Sequence, residues 1–323
     1  MNDPVGSART ASRPSPPPGA KGSHGTPAGA RRRRRLVESL EGWAFVSPGF
    51  LILMGLSIFP AGWALVLSFQ KWNGFSAPKM VGVDNYRRLV TDSEFGDAVA
   101  HTALFVVMFV PASVFLGFVL AIALNRKIRF IGLYRTAIFA PFVVSAASTG
   151  ILANYLFSPQ YGVVNNVLRQ VGIPAQGWLE DPNQAMVVIA LMSLWGQAAF
   201  TTVLYLAGLQ DVPTDLLEAA RIDGASGFQT VRLIIWPLLR PVTVFVVIWQ
   251  TITALQLFDL VYVTTKGGPL DATKTIVYFL WERAFKIHQI GYGSAAAYVL
   301  FVVTLGIALG MVLYSRRKNL EAF

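Results

Sequence analysis

The sequence predicts an all-α membrane protein with six transmembrane helices. Of its 323 residues, 54% are hydrophobic and only 14% are charged, whereas about a quarter of the residues of a soluble domain are charged. The charged residues lie between long apolar runs, six of which reach the ~20 residues that a helix needs to cross a bilayer. These runs lack the alternating ~10-residue pattern of outer-membrane barrel strands. Helical spans are therefore predicted rather than a β-barrel.

Two tails are predicted to flank one membrane domain. Residues 1–35 are rich in Pro, Gly, Ser and Ala and are predicted to be a disordered basic tail. Residues 36–315 contain the six spans, and residues 316–323 form a short C-terminal tail. The predicted spans are 44–69, 98–124, 131–157, 185–209, 237–262 and 292–314.

Three prolines fall inside predicted spans, namely Pro60, Pro111 and Pro141. Proline is tolerated there when neighbouring helices satisfy the carbonyls that it leaves free, so a packed helical bundle is predicted.

The distribution of Lys and Arg sets the predicted orientation. Most of the 27 Lys and Arg residues lie in segments on the same side as the N-terminus, and the opposite loops carry most of the acids. By the positive-inside rule, both tails and the loop between the fourth and fifth spans are cytoplasmic. The run from Arg31 to Arg35 is interpreted as a topology anchor, so no nucleic-acid partner is predicted.

Composition also excludes several kinds of site. There is no cysteine, so a disulfide framework and thiol chemistry are ruled out. The three histidines are scattered along the chain, and no zinc or haem site is predicted.

The segment at about 211–236, here called the island loop, is a polar stretch between two apolar spans. Thr214 is placed to cap a short helix. Asp223 and Gly224 are predicted to end that helix, because glycine readily adopts the left-handed C-cap conformation. Ser226 is predicted to cap a second helix. A docking site for a partner explains such a loop, and an ordinary surface loop is the alternative.

One motif in the island loop resembles a known family. Glu218-Ala219-Ala220, then Gly224, then Pro237 match the EAA loop of permease subunits in binding-protein-dependent ABC importers. The longer string EAARIDGAS, followed by PLLRP, is similar to the carbohydrate-uptake branch of that family.

A second motif supports the same resemblance. Residues 258–269, FDLVYVTTKGGP, resemble the end of the fifth span in the first permease of a sugar-transporter pair. The resemblance extends over about residues 40–315.

The resemblance implies the type I permease fold of ABC importers and a set of partners. These are a second permease subunit, two ATP-binding subunits and an extracytoplasmic binding protein, in a bacterial or archaeal cytoplasmic membrane. The island loop would contain the coupling helix that binds to an ATPase, with Glu218 and Asp223 as docking contacts. The small residues Ala219, Ala220 and Gly224 would let the ATPase approach the helix closely. The chain has no Walker A pattern. ATP and Mg²⁺ are therefore expected on the ATPase, with no cofactor and no enzymatic activity on this chain.

Polar residues inside spans suggest a substrate path, because they are costly in lipid. Amides and hydroxyls can bond sugar hydroxyls, although Ser, Thr and Gln also join helices together. Comparison with the maltose-transporter branch implies a set of path residues in the third, fourth and fifth spans. They are Phe142, Ala146, Ser193, Gln197, Phe200, Gln250, Thr253, Ala254 and Leu257.

Two alternatives to a sugar importer remain from the sequence. The chain is close in layout to the glycerol-3-phosphate, lactose and raffinose type, so a glycerol-3-phosphate permease is one of them. The spans show no buried Arg or Lys, which favours a neutral sugar. The other is an ion-coupled secondary transporter, which usually carries buried ionisable groups and internal repeats. The predicted spans hold almost no ionisable residues, and no repeat is seen in the sequence.

Overall fold

The computed structural model describes residues 42–126 and 129–317. It divides after Pro60 into two compact units, Met1–Pro60 and Ala61–Phe323, which are described separately. The predicted tails, 1–35 and 316–323, lie almost wholly outside the described residues. The first predicted span corresponds to the helical segment Gly42–Ser68, here α1, which contains a π-helical turn at Met54–Ile58.

The second unit carries the remaining elements. A two-stranded antiparallel hairpin, β1 (Gln70–Lys71) and β2 (Lys79–Met80), pairs Gln70 with Met80. The helices up to the island loop are α2 (Asp84–Thr91), α3 (Ser93–Leu124), α4 (Ile131–Val143), α5 (Ala146–Leu156), α6 (Val163–Gln170) and α7 (Ala185–Gln210), with a 3-10 turn at Trp178–Glu180.

The island loop and the last two spans follow. Their helices are α8 (Thr214–Ile222), α9 (Gly227–Thr230), α10 (Trp236–Leu238), α11 (Arg240–Leu255), α12 (Asp259–Val263), α13 (Ile276–Trp281) and α14 (Ile290–Arg317). Two π-helical turns, Val231–Ile235 and Glu282–Lys286, precede α10 and follow α13.

The predicted all-α membrane fold is confirmed. Among the described residues, five helices are long and apolar enough to cross a membrane, and the pair α4 and α5 makes a sixth span if it is counted as one. The sequence predicts this third span as a single helix, whereas α4 and α5 bend by 102° at the break between them. Ser145 caps the start of α5 by accepting a hydrogen bond from the Ser148 N–H at 3.2 Å. A serine cap inside an apolar run is the local reason for the break.

The centre of the bundle is formed by α3, α7 and α11. Gly117 of α3 lies so close to Thr201 of α7 that an added Cβ would stand 2.6 Å from the Thr201 Cβ atom. Phe105, Phe109 and Ile189 belong to one buried cluster between these helices. Pro111 remains inside α3, as the prediction of a packed bundle requires.

The segments that join the first and second spans, and the fifth and sixth, meet at one end of the bundle, here called the hairpin end. Asn85 of α2 donates to the carbonyls of Ser68 and Gln70 at 2.8 and 2.9 Å. Gly291 of α14 lies against the Gln70 carbonyl. The island loop, which joins the fourth and fifth spans, belongs to the opposite end.

A cluster of ion pairs connects the segments that meet at the hairpin end. Lys274, with a side chain only 9% exposed, lies 3.1 Å from both Asp271 and Glu282 and 3.6 Å from Glu94. Arg283 donates to Glu94 at 2.6 Å. Because Glu94 lies in the first turn of α3, these contacts hold the fifth-to-sixth connection against the second span.

Protonation of Glu282 is expected to weaken this cluster. Burial acts to raise the pKa of Glu282, but its hydrogen bonds with Lys286 and Lys274 outweigh burial and leave the pKa below its ordinary value. Such a carboxylate contributes stability above its unfolded pKa of about 4.3, and the contribution is lost as the pH falls through the lower folded pKa.

Glu282→Gln is therefore expected to lower the stability at neutral pH by about 2–3 kcal/mol, since Lys274 loses a partner in a largely buried position. It should also flatten the fall in melting temperature below about pH 4.3. Thermal unfolding of the detergent-solubilised protein across this pH range measures both effects. Arg87→Gln breaks the exposed pair with Asp84 and should change little. If the melting temperature of Glu282→Gln fell below about pH 4.3 as steeply as that of the unaltered protein, this role of Glu282 would be contradicted.

Candidate functional sites

The first helix of the island loop ends in a tight glycine cap. Asp223 is the C-cap of α8, and Gly224 follows with φ of +74°. The Gly224 N–H donates to the Arg221 carbonyl at 3.1 Å, and the Ala225 N–H to the Ala220 carbonyl at 2.9 Å. These bonds satisfy the last carbonyls of the helix, as predicted for a glycine in the left-handed region.

Ser226 caps the second helix with a reciprocal pair of hydrogen bonds. Its side chain accepts from the Gln229 N–H at 3.3 Å, while the Gln229 side-chain oxygen accepts from the Ser226 N–H at 2.7 Å. This capping box fixes the direction in which the chain turns from α8 into α9. The predicted cap at Thr214 differs, because α8 begins at Thr214 and Pro213 occupies the N-cap position without a side-chain bond.

The structure presents most of the predicted docking residues on the surface. Glu218, Ala219, Asp223 and Gly224 are exposed. Within the described part of the chain, neither carboxylate forms an ion pair with another side chain, so both are available to a partner. Ala220 is only 6% exposed, which means that its small side chain serves packing inside this chain.

Two exposed apolar side chains of the island loop were missed by the sequence reasoning. Ile222 is 86% exposed and Phe228 is 73% exposed. Large apolar side chains on a polar loop often belong to a protein interface. The sequence did contain a sign of this surface, because both are large apolar residues in a stretch that otherwise consists of polar and small residues.

A cavity of about 230 Å³ lies among the second, third, fourth and fifth spans. Its wall comes from the broken segments α4–α5 and α11–α12 and from the faces of α3 and α7. The lining residues are Phe105, Phe109, Phe142, Val144, Ala146, Thr149, Met192, Ser193, Gly196, Gln197, Thr253, Ala254, Gln256, Leu257, Phe258, Asp259 and Leu260.

Close packing of α5 and α12 positions one wall of this cavity. Gly150 of α5 faces Val263, where an added Cβ would stand 2.9 Å from a Val263 methyl carbon. The Asn154 side-chain amide donates to the Val263 carbonyl at 3.3 Å. The two short helices that follow the breaks are thus held against each other.

The structure brings most predicted path residues together at this cavity. Those that line it are Phe142, Ala146, Ser193, Gln197, Thr253, Ala254 and Leu257. Phe200 lies beside the lining, with its ring centroid 6.3 Å from that of Phe142. Gln250 is fully buried and donates to the Ser113 hydroxyl of α3 at 2.7 Å, which is the helix-joining role that the sequence left as the alternative.

The hydroxyls of the fourth span bond their own helix. Ser193 donates to the Ile189 carbonyl at 2.8 Å, and Thr202 donates to the Ala198 carbonyl at 2.6 Å. The aromatic lining by Phe105, Phe109 and Phe258 was missed, because apolar residues inside a span give no sign of which face they occupy.

The sequence matches, over residues 45–318, the family described as binding-protein-dependent transport system inner membrane component. The lactose transport system permease protein LacF of Rhizobium radiobacter is 35% identical over 286 residues, covering 87% of this chain and 95% of LacF. The sn-glycerol-3-phosphate transport system permease protein UgpA of Agrobacterium fabrum is 32% identical over 267 residues, covering 82% of this chain and 91% of UgpA.

A solved structure has a similar fold. It is the crystal structure of a bacterial ABC transporter involved in the import of the acidic polysaccharide alginate, with a TM-score of 0.78 and 21% sequence identity. The match covers 89% of this chain and 99% of that chain.

Proposed function

Because the chain belongs to the family of binding-protein-dependent transport system inner membrane components, we propose that it forms half of the translocation path of an ATP-driven importer for a neutral sugar. The second half is contributed by another permease subunit. A binding protein delivers the sugar, and two ATP-binding subunits drive transport. ATP and Mg²⁺ are held by those subunits, so this chain is not an enzyme by itself.

The chemistry of the cavity carries the choice of a neutral sugar. The Gln197 amide and the Thr253 hydroxyl can bond sugar hydroxyls. Phe142 lines the cavity and can offer an apolar ring to the C–H face of a sugar. Asp259 is the charged residue of the described lining. A carboxylate there repels a phosphate ester and accepts hydrogen bonds from hydroxyls.

The small volume of the cavity supports a path shared by two subunits. About 230 Å³ lies below the roughly 300–1,000 Å³ that is usual for ligand pockets. A second permease subunit facing the same opening would enlarge the enclosed space.

The island loop supports coupling to an ATPase. Its turn is fixed by the left-handed Gly224 and by the Ser226 capping box, so force applied to α8 passes to α11 through a defined connection. Glu218 and Asp223 supply charge for a partner's basic groups. Ile222 supplies apolar area that a cleft can bury.

The proposed orientation places both termini and the island loop in the cytoplasm of a bacterial or archaeal cell. The family description places its members in the inner membrane, and the distribution of Lys and Arg supports this orientation.

The substrate is tested with the complete transporter in proteoliposomes. ATP hydrolysis is measured with the binding protein and either lactose, raffinose, maltose or sn-glycerol-3-phosphate. At least one neutral sugar is expected to stimulate hydrolysis several-fold, and sn-glycerol-3-phosphate is not, because Asp259 lines the path. Replacing Asp259 with asparagine removes the repulsion and serves as the matched variant. Stimulation by sn-glycerol-3-phosphate alone would reassign the substrate, and uptake driven by a proton gradient in the isolated chain would reject the ATP-driven mechanism.

A further inference from the structure

Four aromatic rings form a continuous series that starts at the cavity and runs along α11 away from it. Phe142 and Phe200 have centroids 6.3 Å apart. Phe200 and Trp249 are 5.3 Å apart, and Trp249 and Phe245 are 6.3 Å apart. The interplanar angles are 15°, 33° and 29°, so the first and last pairs are stacked and the Phe200–Trp249 pair is tilted.

The series continues the same helix faces that line the cavity. On α11, Phe245, Trp249 and Thr253 follow one another at intervals of four residues, which places them on one face. On α7, Phe200 follows Gln197 at an interval of three residues. Thr253 and Gln197 line the cavity, and Phe245 lies on the same face of α11 as Thr253, roughly 12 Å nearer to the start of the helix.

Three of the four rings are exposed in this chain, and Phe200 is half-buried. Phe142 is 53% exposed, Trp249 is 46% exposed and Phe245 is 40% exposed. Aromatic rings present flat apolar faces that tolerate sliding contacts, because stacking does not fix one orientation as hydrogen bonds do. Sugar rings have matching apolar C–H faces.

We propose that Phe142, Phe200, Trp249 and Phe245 form an aromatic track on which a sugar moves, ring by ring, from the cavity toward the start of α11. The inference rests on the proposed function and adds an exit route with two residues, Trp249 and Phe245, beyond the cavity. In the proposed orientation this end of α11 is cytoplasmic. Each ring binds weakly, and neighbouring rings lie close enough for a sugar to contact the next one before it leaves the last. Weak binding at several sites in series permits passage.

The test uses the complete transporter in proteoliposomes, with labelled lactose and raffinose as probes. Trp249→Leu and Phe245→Leu are expected to lower the sugar transported per ATP hydrolysed roughly threefold to tenfold, the worth of one aromatic contact. The loss should be larger for raffinose, which has more rings to pass along the track. Trp249→Phe keeps a ring and should restore most of the transport. Phe115→Leu is the control. It removes an aromatic ring on α3 that is 69% exposed and does not belong to the series, and it should leave transport unchanged.

The competing roles of these rings give different results. Unchanged transport in both leucine variants would mean that the rings face lipid, and it would overturn the track. A reduced yield of assembled complex would mean that the rings face the second permease subunit, which would also overturn it. If the unaltered transporter moves neither sugar and neither stimulates its ATPase, the proposed function itself fails, and that outcome is recognised before any variant is compared.

Discussion

Replacing Glu218 with arginine is expected to abolish transport while the protein still inserts into the membrane. The side chain is exposed on α8 and forms no ion pair with another described residue, so the substitution is expected to leave folding intact. Reversing its charge would replace the proposed attraction to a basic group of the ATPase by repulsion, and juxtaposed like charges cost several kcal/mol at a docked interface. Uptake of the transported sugar and sugar-stimulated ATP hydrolysis should fall together by about 100-fold or more, since about 1.4 kcal/mol corresponds to tenfold.

Two further variants separate coupling from general damage. Glu218→Gln keeps the size of the side chain and removes only the charge, so an intermediate loss is expected. Asp84→Arg reverses an exposed carboxylate at the hairpin end, far from the island loop, and should leave complex assembly intact. Co-purification of the ATPase with each variant measures docking directly. Normal transport by Glu218→Arg would remove the coupling role of this residue.

Replacing Gly291 with alanine is expected to have the largest effect on stability. The added Cβ would stand 1.8 Å from the Gln70 carbonyl oxygen and 3.0 Å from the Leu67 carbonyl oxygen. Both obstacles are backbone atoms, and the Asn85 amide also holds the Gln70 carbonyl in place. Relief requires α14 to move away from the hairpin, with a cost of about 3 kcal/mol or more.

Gly306 provides the matched control on the same helix. An added Cβ there meets nothing within 4 Å, so Gly306→Ala should be neutral or slightly stabilising through the better helix propensity of alanine. Thermal unfolding of both variants in detergent, with hydrogen exchange of residues 70–92, measures the difference. Equal stability of the two variants would contradict the close packing of α14 on the hairpin.

The two sites differ in how far the sequence could predict them. The island loop is local: Gly224, Ser226 and Gln229 act on groups a few residues away, so the sequence contains the information for its turn. The cavity joins residues from α3, α5, α7 and α11 that are distant in the chain. Gln250 illustrates the limit, because its polar side chain suggested a substrate contact, whereas in the structure it is buried and donates to Ser113, 137 residues away.

Hydropathy and charge distribution by themselves determined the helical membrane fold and the place of the island loop between the fourth and fifth spans, because a bilayer imposes the same length and composition on every span. Only the tertiary structure decided that Gln250 is buried and bonds Ser113, and that Phe200 lies against Trp249. Each of these depends on which face of a helix meets which neighbour. Inside an apolar span almost every face has similar composition, so packing, and not sequence periodicity, makes that choice.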